Sequence, residues 1–301
     1  MGIGTCLAYV PTMSVARTWF DKRRGLAMGV IISESAVGGM VWPPALRAMI
    51  SNLGVRNALR ISGCLSLTLV SFAGYALRWD PRFHEQARLQ TQGLRRRSAW
   101  FKAPMVNYRV ARSKRFLAQA LGCFLQSAGY TTPLSFYAAY ASTLGYSPAT
   151  AANFITVNNA SKFVSRILIG YGADRYGRIN ALVVMTLLSA MVVFAFWIPS
   201  MFHTNDVSSA DGLFVVFTVF YGAFASAYVS LFPASLIELF GVHHFTSVNG
   251  ALYLIREMGA LIGTPLTGLL ITNSALNYSH IYERAGIVVG VLLMVATLAC
   301  L

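Results

Sequence analysis

Nine apolar stretches, each about as long as a bilayer is thick, alternate with shorter polar turns along this 301-residue chain. They run approximately from Gly2 to Trp19, Leu26 to Ile50, Ala58 to Leu77, Phe116 to Tyr140, Ala149 to Tyr171, Ala181 to Met201, Leu213 to Ile237, Val248 to Ile271 and Gly286 to Leu301. A spanning helix needs roughly 20 such residues, so the pattern predicts an all-α polytopic membrane protein. The first stretch has no basic residues ahead of it and contains Tyr9 and Pro11, which reads as a span and not as a signal peptide. One long polar segment interrupts the series. It divides the chain into residues 1–78 with three spans, a basic linker over 79–114, and residues 115–301 with six spans. Transporters are commonly built from two matched halves, so this lopsided partition predicts an N-terminal half that lacks its first three helices.

Composition agrees with the pattern: 56% of the residues are hydrophobic, 11% are charged, and mean hydropathy is +0.57. The net charge of +14 would suggest nucleic acid in a soluble protein. Here the basic residues cluster in loops, Arg17 to Arg24 and Arg78 to Arg115, whereas the loop from Phe202 to Gly212 has none. That asymmetry is a positive-inside signal: it places the basic loops in the cytoplasm and makes nucleic acid an unsuitable partner. The cysteines, Cys6, Cys64, Cys123 and Cys300, stand singly in apolar segments. Neither a disulfide framework nor a zinc site follows, and no cofactor is expected.

The candidate chemistry lies in the fifth stretch. Asn158, Lys162, Arg166, Gly170 and Asp174 recur at every fourth position, which puts them on one side of a helix running into the turn Asp174-Arg175-Tyr176-Gly177-Arg178. Cations at bilayer depth are costly, and two of them one turn apart suit an anionic solute. Arg166 is the first candidate because a planar guanidinium binds carboxylate bidentately. Lys162 either adds charge to that site or pairs with a carboxylate. Arg256, beside Glu257, is either a third cation of the site or half of an interhelical tie. On the cytoplasmic side Asp174 is suited to the N-terminus of the helix starting near Gly25, and Arg23, Arg24, Arg175 and Arg178 are available to pair with Asp21 or Asp174. Such weak contacts suit a reversible gate.

Weaker signals change little. His243-His244 reads as part of a solvated loop, and the sequon Asn277-Tyr278-Ser279 falls close to the membrane. No nucleophile, base or metal-ligand spacing supports an enzyme.

The run Trp19 to Gly29, with Lys22-Arg23-Arg24 and Leu26-Ala27, followed by the glycine-containing helix from Ser33 to Gly39, resembles the monocarboxylate porter family of the major facilitator superfamily. Gly170 to Arg178 is similar to that superfamily's Gly-x-x-x-Asp-Arg-x-Gly-Arg turn. The segments Leu231 to Ala234, Glu238 to Gly241, Asn249-Gly250, Arg256-Glu257 and Gly263 to Pro265 look like the fungal branch. The resemblance implies a major facilitator fold of which these are the fourth to the twelfth helices, with Gln126, Tyr130, Tyr137, Tyr221 and Tyr228 on cavity-lining helices. It implies a secondary transporter of a small organic anion, either a monocarboxylate-like solute or an acidic secondary metabolite, working by alternating access at the plasma or vacuolar membrane. Efflux for a metabolite cluster and a truncated, non-transporting membrane protein are the alternatives. Lys162 stands where animal members carry the aspartate of proton coupling, which argues against proton-driven lactate uptake. Glu34 replaces a small residue and is a candidate partner for Lys162 or Arg256.

Overall fold

The computed structural model describes residues 12, 15, 19, 23–77, 108–202, 207–273 and 282–300. Their regular structure is helical. The main helices are α1 (Arg24–Ile32), α2 (Glu34–Ala76), α3 (Lys114–Thr143), α4 (Pro148–Tyr176), α5 (Arg178–Phe202), α6 (Val207–Asn273) and α7 (Glu283–Cys300). The first expected span, most of the linker, Asp21 and the sequon lie outside the described residues.

Helix ends follow local chemistry. Ser113 and Ser147 cap α3 and α4, their hydroxyls accepting the amides of Phe116 and Thr150 at 3.2 Å, and Pro148 occupies the first turn of α4. Two very long helices are broken by glycines in the left-handed region, Gly54 (φ 76°) in α2 and Gly241 (φ 73°) in α6. A side chain would oppose that backbone conformation, so each glycine marks a turn that the apolar pattern had left between two stretches. Ser33 separates α1 from α2 with nearly helical dihedrals, and the two run on as one rod.

Five helical stretches are long and apolar enough to cross a membrane among the described residues: Arg24–Ala76, Arg178–Phe202, Gly212–Gly241, Ser247–Ile271 and Glu283–Cys300. At 30 and 29 residues, α3 and α4 are also long enough, but polar side chains dilute their apolar character. Gln119, Gln126, Thr132, Asn158, Lys162 and Arg166 are buried where the helices pack on one another: α3 lies against α6 and α7, α4 against α1 and α6, and α5 against α6 and α7.

The core has two ends. At one, Tyr137, Tyr140, Phe154, Trp197, Phe214 and Phe217 form an aromatic cluster, with Trp197 stacked on Phe217 at 5.2 Å. At the other, Phe116, Leu182, Leu231, Phe232, Leu236 and Leu252 pack together. The helix midpoints, including Lys162 at the centre of α4, fall between the two.

Contact between α1 and α4 depends on missing side chains. A Cβ at Gly25 would lie 2.7 Å from the Gly170 carbonyl oxygen, one at Gly170 would lie 2.5 Å from the Gly25 carbonyl oxygen, and one at Gly29 would strike the Arg166 carbonyl. Small residues four apart let the two backbones touch, as they do in close membrane crossings. Gly38 faces open space. Gly29→Ala is therefore expected to lower the thermal midpoint of the detergent-purified protein, by about 1–3 kcal/mol of overpacking. Gly38→Ala should leave it unchanged or raise it through helix propensity, by up to about 1 kcal/mol.

Candidate functional site

The residues at every fourth position of α4 do not all face one neighbour. Each four-residue step overshoots a full turn by about 40°, so the row winds about 160° from Asn158 to Asp174. Asn158 accordingly points to α3 and α6, its amide donating to Thr218 O at 2.8 Å and to the Tyr137 hydroxyl at 3.2 Å. Arg166, Gly170 and Asp174 point to α1.

Those last three hold α1 at both ends. The Asp174 carboxylate accepts the backbone amides of Gly25 (2.8 Å) and Leu26 (2.9 Å) at the α1 N-terminus, the contact expected from the helix dipole. Two turns along α4, the Arg166 guanidinium donates from Nη1 to Ile32 O at the α1 C-terminus (2.5 Å) and to Ser35 Oγ (2.7 Å). The anion at the amino end is the sign that the helix dipole favours, whereas at Ile32 the rod continues into α2 and Arg166 joins the Ser35 hydroxyl in bonding the Ile32 carbonyl. Arg178 steadies the clasp through an ion pair to Asp174 at 3.0 Å. Arg23 and Arg175 are exposed, Arg24 is half-buried, and Asp21 falls outside the described residues.

At mid-helix the cations converge. Lys162 and Arg166 are buried, and together with Arg256 they interact electrostatically with the Tyr130 hydroxyl. Lys162 Nζ donates one long hydrogen bond, 3.4 Å, to Asn159 Oδ1. Among the described residues neither Lys162 nor Arg166 has a carboxylate partner. Glu34 is exposed and pairs with neither Lys162 nor Arg256, because its place on α2 turns it away from them. Nor does Arg256 tie two helices together: it reaches its own neighbour Glu257 at 3.8 Å and lies over the Tyr253 ring. Two like charges about 6 Å apart at an effective dielectric near 20 repel by about 3 kcal/mol. An anion placed between Lys162 and Arg166 would remove that repulsion.

Buried hydrogen-bonding atoms without partners mark where such a ligand would fit. Arg166 Nε, Arg256 Nε, Gln126 Oε1 and the Tyr228 hydroxyl are all buried with no hydrogen-bond partner. Arg166 binds Ile32 and Ser35 through Nη1, and its Nε is buried without a hydrogen-bond partner. Tyr221 differs from the other tyrosines. Its hydroxyl lies 3.4 Å from the carbonyls of Gly129 and Tyr130, and its ring packs on Tyr130 and Phe217, so it backs the site. Tyr137 is likewise engaged with Asn158. The pattern that predicted Lys162 and Arg166 did not indicate Ile32, Ser35 or Asn159, whose roles arise from the approach of another helix.

Removing a buried cation that lacks a carboxylate partner should stabilise the ligand-free protein. Lys162→Met is expected to raise the thermal midpoint in detergent, by up to about 1–4 kcal/mol. A fall in the midpoint would show Lys162 to be a structural tie.

Residues 1–210 match the model of the Major Facilitator Superfamily. Three fungal relatives match nearly the whole chain. The MFS transporter asaE of Aspergillus flavus is 26% identical over 95% of this chain and 60% of its own length. The agnestins efflux protein of Paecilomyces divaricatus is 27% identical over 90% of this chain and 57% of its own. The aspyridones efflux protein of Emericella nidulans is 28% identical over 90% and 50%. The chain thus spans about half to three-fifths of the length of these relatives. With the match covering well over half of an all-helical chain, this multi-pass membrane protein belongs to the Major Facilitator Superfamily, a superfamily of transporters and not of enzymes.

Proposed function

We propose that the protein works as a secondary transporter of a small organic anion, with Lys162 and Arg166 as the charges that hold it. The observation that carries this reading is the burial of both cations, one turn apart at mid-helix, without a carboxylate partner among the described residues. Arg166 presents its Nε side to the carboxylate, Lys162 compensates the remaining charge, and Arg256, Tyr130 and Tyr228 meet the polar parts of the solute. Tyr221 supports Tyr130 from behind. Two relatives are named as efflux proteins, for agnestins and aspyridones, which favours export of an acidic secondary metabolite over uptake of a simple monocarboxylate. The plasma membrane is the corresponding location. A proton as coupling ion has no acidic residue at the Lys162 position to carry it.

Alternating access would use the α1–α4 clasp as a cytoplasmic gate. With Asp174 on the α1 N-terminus the gate is shut; separating the helices breaks those two hydrogen bonds and the glycine contacts together. Because Arg166 holds the other end of α1, a solute that engages its guanidinium acts on the same clasp.

Reconstituted protein is expected to take up labelled aromatic and aliphatic carboxylates and to reject the corresponding neutral amides. Arg166→Ala should lower uptake by at least about 30-fold, the lower bound for truncating a buried charge partner. Equal uptake of acid and amide would overturn the anion reading. Asp174→Asn should increase maleimide labelling of a Leu26→Cys reporter by about 10- to 100-fold, matching the loss of a charge-assisted hydrogen bond. An unchanged labelling rate would remove Asp174 from the gate.

A further inference from the structure

Beyond Asn159, towards the Gly54 end of α2, the helix pair separates. The Gly25 and Gly29 contacts bring α1 against α4 near Asp174, and Gly39 still touches the Asn159 amide. One turn further along α2, a cleft of 420 Å³ opens between α2 and α4, lined by Gly39, Pro43, Pro44, Arg47, Asn153 and Thr156 among others. The volume is in the range of small-molecule sites. Pro43 and Pro44, with Ala152 and Ile155 opposite, give it apolar walls, while Asn153 and Thr156 supply polar groups.

Arg47 gives the cleft its charge. It is exposed on the wall of the cleft, seven residues before Gly54 and about 10 Å down the helix from that turn. No carboxylate lines the cleft, and Arg47 has no ion-pair or hydrogen-bond partner among the described residues. Positive-inside topology does not account for it either: with the linker and the Asp174 turn in the cytoplasm, Arg47 falls in the outer half of the membrane. The cleft also leads to the central cations. From Thr156 the α4 surface passes through Asn159, which lies against Gly39 and accepts from Lys162, to Lys162 itself, a rise of about 9 Å.

We infer that this cleft is an outer subsite for an organic carboxylate with an apolar body, in which Arg47 pairs with the carboxylate, Asn153 and Thr156 hydrogen-bond it, and the paired prolines receive the apolar part. The inference rests on the anion-transport reading for its biological use, but the subsite binds whether or not the central site does. It gives the solute a charged stop between the outer aqueous phase and Lys162, so neither transfer has to cross the apolar half-membrane in one step.

The test is substrate protection. Thr156→Cys, in full-length protein carrying Cys6→Ser and Cys64→Ser and reconstituted in phosphatidylcholine vesicles, is labelled with a membrane-impermeant maleimide with and without benzoate. Benzoate is expected to slow labelling about 10-fold, consistent with a charge-assisted hydrogen bond. That protection should vanish in Arg47→Gln, return in part in Arg47→Lys, and persist in Arg166→Ala. Labelling without benzoate verifies that the cleft is intact in each variant. Absence of protection in every background, or protection unaffected by Arg47→Gln, overturns the subsite, even if Arg166→Ala still blocks uptake. Conversely, protection that needs Arg47 upholds the subsite even if uptake ignores Arg166, the outcome in which only the central reading fails. A lipid phosphate would share the same chemistry. Labelling already blocked in phosphatidylglycerol vesicles, with no added effect of benzoate in either lipid, would assign the cleft to a headgroup and overturn the carboxylate subsite.

Discussion

Everything about the candidate site depends on how closely α4 approaches α1. Backbone-to-backbone contact through Gly25, Gly29 and Gly170 brings the two helices near enough for short reach from α4 to both ends of α1. Asp174 then meets the first amides of α1 at one end, and Arg166 shares the Ile32 carbonyl with the Ser35 hydroxyl at the other. The antiparallel arrangement lets both contacts form: eight residues separate Asp174 from Arg166 on α4, about 12 Å, which matches the length of α1. In a membrane interior that offers little water, satisfying those terminal groups from a neighbouring helix matters more than it would on a soluble surface.

Arg166 therefore has two demands on it. As a cap for Ile32 it helps hold α1 in place, and as a buried cation without a carboxylate partner it is suited to an anion. These demands use different edges of one planar group, which lysine's single ammonium would not provide. On the proposed reading, a solute on the Nε side would draw the guanidinium away from α1 or tighten it there according to its geometry, and so couple its recognition to the position of α1. Asp174 and Arg178, bonded to each other and to α1, act at the opposite end of the same contact.

Stability and function pull against each other here. Two aromatic and aliphatic cores above and below the site are close-packed and account for cohesion, whereas the helix midpoints hold Lys162 without a carboxylate partner among the described residues, and Arg166, Arg256 and Gln126 with buried atoms that lack hydrogen-bond partners. Buried polar groups of this sort cost stability unless something binds them. The glycine breaks at Gly54 and Gly241 and the π-turn at Val193–Trp197 allow the surrounding helices to bend around those midpoints.

The all-α class and the turns at Gly54 and Gly241 were legible in the sequence, because apolar runs of bilayer length and glycine-containing gaps between them are local properties. The two cations of α4 were legible for the same reason: a charge inside an apolar run needs no partner to be noticed. What the side chains touch was not. Whether Arg256 paired across helices, whether Glu34 reached Lys162, and whether Tyr221 faced a solute or a backbone carbonyl depended on the rotation and separation of neighbouring helices. A fourfold repeat on paper looked like one face; in three dimensions the mismatch with 3.6 residues per turn sends Asn158 to α6 and Asp174 to α1. The sequence by itself determined which stretches are apolar enough to span a membrane and which of them carry charge. Only the tertiary structure decided which of those charges are capped, which are paired and which are left without a carboxylate partner among the described residues, because that depends on the approach of helices distant in the chain.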